Sequence, residues 1–214
     1  MKQPKLKKIY RKLYASFGPQ HWWPAENSFE VIVGAILTQN TAWVNVEKAI
    51  ANLRKAGMLD AHKLSLLPQK KLAALIRPAG FYNIKARRLK EFLNFFSACY
   101  QLDLKRMQRV PLSGLRRQLL SVHGIGAETA DSILLYALAK PSFVVDSYTK
   151  RILGRHKLIQ PDADYTQVQN LFTRELKKDS KLFNEFHALL VRLAKDFCLK
   201  NKPRCAICPL KKIN

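Results

Sequence analysis

The stretch LLSVHGIGAETADSILLYALAKPSFVVDSYTKR, residues 119–151, decides how the whole chain is read. It opens on apolar Leu119, Leu120 and Val122 and turns through Gly124-Ile125-Gly126. The spacing of Ala130, Ile133, Leu134, Ala137 and Leu138 predicts a helix directly after that turn, closed by Pro141. A short apolar run, Phe143-Val144-Val145, then delivers one carboxylate, Asp146. Glycines on both sides of Ile125 allow a tight turn with backbone N–H groups at a helix N-terminus, a site suited to a phosphate oxygen. The same glycines would serve a plain helix–helix turn that needs only close packing. Asp146 also has two readings. It can cap a helix beginning at Ser147, or it can be an acid set beside whatever the phosphate belongs to.

Composition bears on that choice. Lys and Arg number 38 against 15 Asp and Glu, a formal charge of +23 on 214 residues. Solubility does not require such an excess, whereas a polyanion partner explains it, nucleic acid above all. An anionic membrane surface would require a basic amphipathic segment with a broad apolar face. The one candidate, the basic segment KQPKLKKIYRKLY near the N-terminus, carries Leu6, Ile9 and Leu13, with Phe17 just beyond, at the spacing of an ordinary core-facing stripe. No apolar run is of membrane-spanning length. The lysines after Met1 are followed by neither an apolar h-region nor a small-residue cleavage site. The expectation is a cytoplasmic protein without a membrane partner.

Outward from the opening stretch, nearly everything reads as helix. One helix runs to about Phe17, ended by Gly18-Pro19. The loop PQHWWPAENS carries Trp22 and Trp23, with Asn27 or Ser28 as the next N-cap. FEVIVGAILTQ is apolar almost all round and so should be a buried central helix. TAWVNVEKAIANLRKAG follows as an amphipathic helix stopped by Gly57. A short helix begins at Pro68, a turn falls at Pro78-Ala79-Gly80, and FYNIKARRLKEFLNFFSACYQL forms a long helix. Its Ile84, Leu89, Phe92, Leu93 and Phe96 are expected to face inward, and Cys99 reads as a small buried apolar residue. Pro111 starts another short helix, and three more follow Asp146, to about Leu158 and then on to Phe197. The fold class is all-α, with short connections.

Two further groups attract a chemical reading. Trp22 and Trp23 can stack on a flat ligand, or simply cap a core, the more frequent fate of tryptophan. Cys198, Cys205 and Cys208 crowd one end of the chain, which in a reducing compartment points to metal more than to disulfide.

Taken in order, HWWP at 21–24, FEVIVGAILTQNTAW at 29–43, RPAGFYNIKARRL at 77–89, GIGAETADSILLYAL at 124–138, VVDSYTKRIL at 144–153 and the terminal cysteines resemble a known family. They are similar to the helix–hairpin–helix (HhH-GPD) DNA glycosylase superfamily, in its endonuclease III-like branch. Within that branch the chain most resembles the 3-methyladenine DNA glycosylase III and endonuclease III-related subgroup. The resemblance implies two helical domains with DNA in the cleft. One is a six-helix barrel with the helix–hairpin–helix over 29–141. The other is a discontinuous helical domain over 1–28 and 142–214, with a C-terminal cysteine loop. It also implies a monomeric enzyme of base excision repair, nucleoid-associated through DNA, acting on double-stranded DNA with a damaged base.

The resemblance assigns roles position by position. Asp146 falls at the superfamily's catalytic aspartate. Glu128 falls where lyase-type relatives carry a Schiff-base lysine, which implies a monofunctional glycosylase. Lys150 is the nearest lysine in sequence to Asp146, with nothing to place it at the sugar. Gly124, Ile125, Gly126 and Thr129 belong to the DNA-binding hairpin, and Gln39 to the position that fills the hole left by a flipped base. A helix-terminal cap by Gln39 or Asn40 is the local alternative. Resemblance to the 3-methyladenine subgroup favours Trp22 and Trp23, joined by Trp43, as a pocket for an alkylated, cationic purine. Cys198, Cys205 and Cys208 match three ligands of a [4Fe–4S] loop, while the fourth position is Asn214. A three-thiolate cluster with an oxygen ligand, a zinc site and a metal-free loop all remain open. So do two other functions: an endonuclease III-like glycosylase/lyase for oxidised pyrimidines, and a non-catalytic DNA-binding module.

Overall fold

A computed structural model describes residues 5–23, 25–211 and 213. Among the described residues there are helices and no strands, so the chain is all-α as expected. It divides into two compact units, 25–138 and 1–24 with 139–214. These boundaries fall three to four residues before those expected at 28/29 and 141/142.

The unit 25–138 holds α2 (Ser28–Leu37), α3 (Trp43–Lys55), α4 (Ala61–Leu66), α5 (Gln69–Leu75), α6 (Tyr82–Tyr100), α7 (Leu104–Arg109), α8 (Leu112–Ser121) and α9 (Ala127–Ser132). Helix α9 continues into a π-helical turn, Ile133–Ala137. Helix α2 is its axis: Phe29 through Leu37 are all buried, and α3, α6, α9 and the π turn pack on it. Asn27 starts it, its side chain accepting the Glu30 N–H at 3.0 Å. Glu30, buried among apolar neighbours, is matched by Arg54 of α3 at 2.9 and 3.0 Å. Helix α3 ends before Gly57, which takes φ +66°.

Several sequence expectations are corrected here. On α6 the inward stripe is Lys85, Ala86, Leu89, Phe92, Leu93, Phe96 and Tyr100. Ile84 is 44% exposed, and Lys85 takes the inward position. Apolarity favoured Ile84, but Lys85 finds two buried carbonyls, Leu37 O at 2.8 Å and Ala79 O at 2.7 Å, that satisfy its ammonium. Cys99 is exposed, one residue short of buried Tyr100 on the same helix. Leu120 is likewise exposed, while Leu119 and Val122 are buried. The helical run of the opening stretch ends at Ala137, before Pro141, with Ala139 at φ +51°. Helices α4 and α7, each capped by an aspartate, Asp60 and Asp103, were not foreseen.

The other unit holds α1 (Lys5–Phe17), α10 (Ser147–Arg155), α11 (Tyr165–Glu175) and α12 (Ser180–Asp196). Helix α1 buries Leu6, Ile9 and Leu13, and packs on α11 and α12. At its start Leu6 N–H donates to the Glu175 carboxylate at 3.0 Å. The core is aromatic. Phe143 stacks on Phe172 at 3.5 Å and meets Phe183 and Phe186 edge-on. Each fully buried Phe contributes about 1.5–3 kcal/mol. That anchorage, with Gln169 Nε2 donating to Phe143 O at 2.7 Å, fixes the segment that leads to Asp146.

Candidate functional site

In the unit 25–138 the site is the hairpin between α8 and α9. Gly124 takes φ +85°, a region that favours glycine, and a Cβ there would lie 2.4 Å from Arg88 Cγ. Gly126 is the N-cap of α9 in extended conformation, exposed. Ile125 is 4% exposed, and its N–H is donated to Val122 O inside the turn. The Ile125 N–H is thus engaged inside the turn, while Gly126 is exposed. The two helices are tied by Arg116 of α8, which grips fully buried Asp131 of α9 through two parallel bonds of 2.8 and 3.0 Å.

A second tie comes from the end of α2. Gln39 Nε2 donates to Gly124 O at 3.0 Å and to Thr129 Oγ1 at 2.9 Å. Its Oε1 accepts a short bond from Arg88 Nη1. Gln39 thus neither caps α2 nor stands clear of the protein: it is built into the underside of the hairpin. Thr129 is buried with its hydroxyl on Gln39. Arg88, Arg116, Asp131 and Lys85 were missed by sequence reading. Helix α6 carries two adjacent arginines, Arg87 and Arg88, and nothing in spacing marks the one beneath a glycine. Glu128 is exposed in the first turn of α9, a favourable place for an acid against the helix dipole. Phe81 was missed as well. Its ring is 65% exposed on a backbone at φ +45°, and exposed Ile84 follows on the next turn. Trp43 is half-buried, with Nε1 donating to Glu47 of its own helix at 2.7 Å.

In the other unit the site is Asp146. Its Oδ1 accepts the Thr149 N–H at 2.7 Å, so it does cap α10. Its Oδ2 lies 3.6 Å from Nε2 of His187, a 6%-exposed imidazole on α12. Burial pushes the Asp146 carboxyl up, but His187 and the Thr149 bond push it down further, and it ends below its ordinary value. The group is an ionised, fixed carboxylate. His187 was not marked in the sequence, because it lies about forty positions from Asp146 on an apolar helix face. Lys150 is turned away from this centre, with Nζ on Ala163 O at 2.9 Å. Trp22 and Trp23 are half-buried and meet edge-on, with ring centroids 6.0 Å apart. Among the described residues the buried Trp22 indole N–H has no acceptor.

The cysteine loop starts at Cys198, buried, and continues to exposed Cys205 and half-buried Cys208. Arg155 Nη1 sits 3.2 Å from Cys198 Sγ, and the Leu210 N–H is 3.4 Å from Cys208 Sγ. Burial, with Cys198 and Cys205 adding to it, pushes the Cys208 thiol up. Asn214, the fourth position, lies outside the described residues, as do Pro24 and Lys212. Among the described residues no group of three or more His, Cys, Asp or Glu is arranged to hold a metal ion. The chain supplies three of the four thiolates of a four-thiolate cluster, with Asn214 at the fourth position. Among the same residues no helix is long and apolar enough to cross a membrane.

Comparison with known proteins places this geometry. A family profile described as HhH-GPD superfamily base excision DNA repair protein matches residues 33–178. Protein MJ1434 of Methanocaldococcus jannaschii, provisionally named a DNA repair glycosylase, is 48% identical over 206 residues, 95% of this chain and 93% of that one. The crystal structure of the H. pylori 3-methyladenine DNA glycosylase bound to 1,N6-ethenoadenine aligns with a TM-score of 0.76 and 30% identity, over 89% of this chain and 97% of that one. A non-covalent endonuclease III–DNA complex aligns with a TM-score of 0.84 over 100% and 95%; at 20% identity it shares the fold.

Proposed function

The chain belongs to the HhH-GPD superfamily of base excision DNA repair proteins, and from that premise we propose a monofunctional DNA N-glycosylase that removes alkylated purines, 3-methyladenine among them. The observation that carries this reading is the Asp146 carboxylate, held ionised by the Thr149 N–H and His187. Breaking an N-glycosidic bond builds oxocarbenium character on the sugar, and a preorganised anion stabilises it without reorganising. It can also orient the attacking water.

The other parts serve binding. The hairpin at Gly124–Gly126 meets a phosphate of the duplex, a contact weakened by salt and blind to sequence. Gln39 and Thr129 keep that turn in shape from beneath, a supporting role in DNA binding. Phe81 and Ile84 offer exposed apolar side chains of the kind that enter a base step. The flipped base stacks on Trp22 and Trp23, where a cationic purine gains from the aromatic faces and the Trp22 N–H gains an acceptor. Trp43 contributes through its half-buried ring. The likeness to the H. pylori 3-methyladenine enzyme supports the purine assignment. Glu128 supports monofunctional action, since a carboxylate forms no Schiff base. The enzyme works as a monomer in the cytoplasm, on double-stranded DNA. The cysteine loop enters as a structural element, and no step of the chemistry runs through it; excision is expected to survive chelation.

The test is a panel of duplexes, each with one lesion, assayed with and without alkali. Release of methylated purines with strand scission only after alkali is the expected result. Release of oxidised pyrimidines with scission before alkali would select the endonuclease III-like reading instead. Binding of the duplexes with no base released would select a non-catalytic module.

A further inference from the structure

Lys85 is a buried cation that the chemistry above leaves unused, and its bonds converge on one short segment. It is 1% exposed and lies near the start of α6. Its backbone N–H donates to Phe81 O at 3.0 Å, and its ammonium donates to Ala79 O at 2.7 Å. A single residue thus brackets Gly80-Phe81, which take φ +67° and +45°. A phenylalanine stays in that region only where its surroundings fix it. The bracketed segment presents Phe81, 65% exposed, to solvent. A buried lysine beneath an exposed phenylalanine reverses the usual distribution of these residues. The third bond of Lys85 leads to the hairpin. Its ammonium also donates to Leu37 O, at the last residue of α2, at 2.8 Å. Two residues on, Gln39 holds Gly124 O and Thr129 Oγ1. Arg88, three positions beyond Lys85 on α6, donates to the same Gln39.

We infer that Lys85 is a positioning residue, which holds Phe81 in fixed register with the hairpin so that the duplex is unstacked at a set distance from the gripped phosphate. Lys85 touches no DNA and acts through Phe81. Its two carbonyls come from different elements, so the ammonium is the joint between the turn before α6 and the end of α2. The charged groups around it are engaged elsewhere or act at a distance. Arg88 acts on it by charge and is bonded to Gln39. On α2, Glu30 is matched by Arg54. In the turn, Arg77 lies over the Tyr82 ring. Farther along α6, Lys90 donates to Leu64 O and Ser65 O, and on α5 Lys70 and Lys71 are exposed.

The inference rests on the reading of Phe81 as a side chain that enters a base step. Its test is a duplex with a tetrahydrofuran abasic analogue opposite 2-aminopurine, whose fluorescence rises when the base is unstacked; no excision is needed. At saturating wild-type enzyme the fluorescence rises, and Phe81→Ala loses most of the rise. Lys85→Met is expected to lose it equally, with duplex affinity within about threefold of wild type because phosphate contacts dominate it. The double variant should lose no more than either single one. Single-turnover excision by Lys85→Met should fall about tenfold or more. A lysine that served stability alone would leave the rise of the bound complex in place. A measurement on the wild type needs no variant to fold: from pH 7 to 9, across the value of about 8 to which burial lowers the ammonium, the rise should shrink, since a neutral amine donates more weakly. The small signal of Phe81→Ala should stay flat. A full rise with Lys85→Met, or a wild-type rise constant over that range, overturns the inference while the role of Phe81 stands. A full rise with Phe81→Ala overturns the reading of Phe81 and the inference together.

Discussion

The stem of Arg88 fills the space that a side chain at Gly124 would occupy, with Cγ 2.4 Å from where a Cβ would stand. The same guanidinium is bonded to Gln39, whose amide holds the Gly124 carbonyl. The turn is therefore clamped between a backbone that favours glycine and a side chain that leaves no room for anything larger.

Gly124→Ala is predicted to cost about 1–3 kcal/mol from the positive φ alone, with the overlap against Arg88 added. Duplex affinity should fall with it, because the turn proposed to meet a phosphate is displaced. Adding Arg88→Ala removes the overlap but keeps the φ cost, so the double variant should recover only part of the stability. Thermal unfolding and DNA binding of the three proteins check this. A Gly124→Ala protein as stable as the wild type would contradict the clamp.

Asp146 caps α10, and in the proposed function it also carries the chemistry; substitution can separate the two. Asparagine caps a helix about as well as aspartate, so Asp146→Asn should fold normally and bind damaged duplex, yet excise about a hundredfold or more slowly. Asp146→Ala should lose the same activity and in addition about 1 kcal/mol of stability. The pH sign follows from the depressed carboxyl. Its stabilisation is present above the ordinary value of 3.8 and is lost as pH falls through the lower folded value. Asp146→Asn should show a shallower loss of stability in acid than the wild type.

What the sequence shows of this protein and what it hides divide along physical lines. Helix α2 was plain because a nearly continuous apolar run has few other uses. The hairpin and Asp146 were plain because glycines at a turn and an acid after an apolar run are local signals. The ties were not. Arg88 to Gln39, Arg116 to Asp131 and His187 to Asp146 span 49, 15 and about 41 positions, and only the packing of helices decides which of many charged residues meet. The exchange of Ile84 for Lys85 on the inner face of α6 has the same origin. Hydrophobicity ranks isoleucine first, but two carbonyls converging from other elements made a place for an ammonium.

Lys85 yields a stability prediction with the same pH sign as that of Asp146, but in an alkaline window. Burial, aided by the neighbouring Arg88 charge, lowers its ammonium from 10.5 to about 8. Between those values the unfolded chain binds the proton and the folded one does not, so folding stability gains with rising pH across that window. Lys85→Met keeps most of the apolar stem but has no group to titrate, and it leaves the Leu37 and Ala79 carbonyls without their donor. The difference in urea midpoint between wild type and Lys85→Met should therefore widen in favour of the wild type from about pH 8 to pH 10. A constant difference would show that the ammonium is not held as described.

The proposal that the enzyme leaves an intact abasic strand rests on Glu128. A Schiff base needs an amine at the sugar, and this position of the hairpin offers a carboxylate. Lys150, four residues beyond Asp146, is engaged at Ala163 O, and Lys85 is buried beneath α2. The expected outcome with an abasic duplex and borohydride is no covalent adduct, and with a methylated duplex an intact abasic strand until alkali is added. Glu128→Lys tests whether the position alone suffices. An adduct trapped by the variant and not by the wild type would show that this side chain reaches the sugar, and that the glutamate keeps the enzyme from cutting the strand. An adduct formed by the wild type would mean that another amine reaches C1′ and that the enzyme is bifunctional.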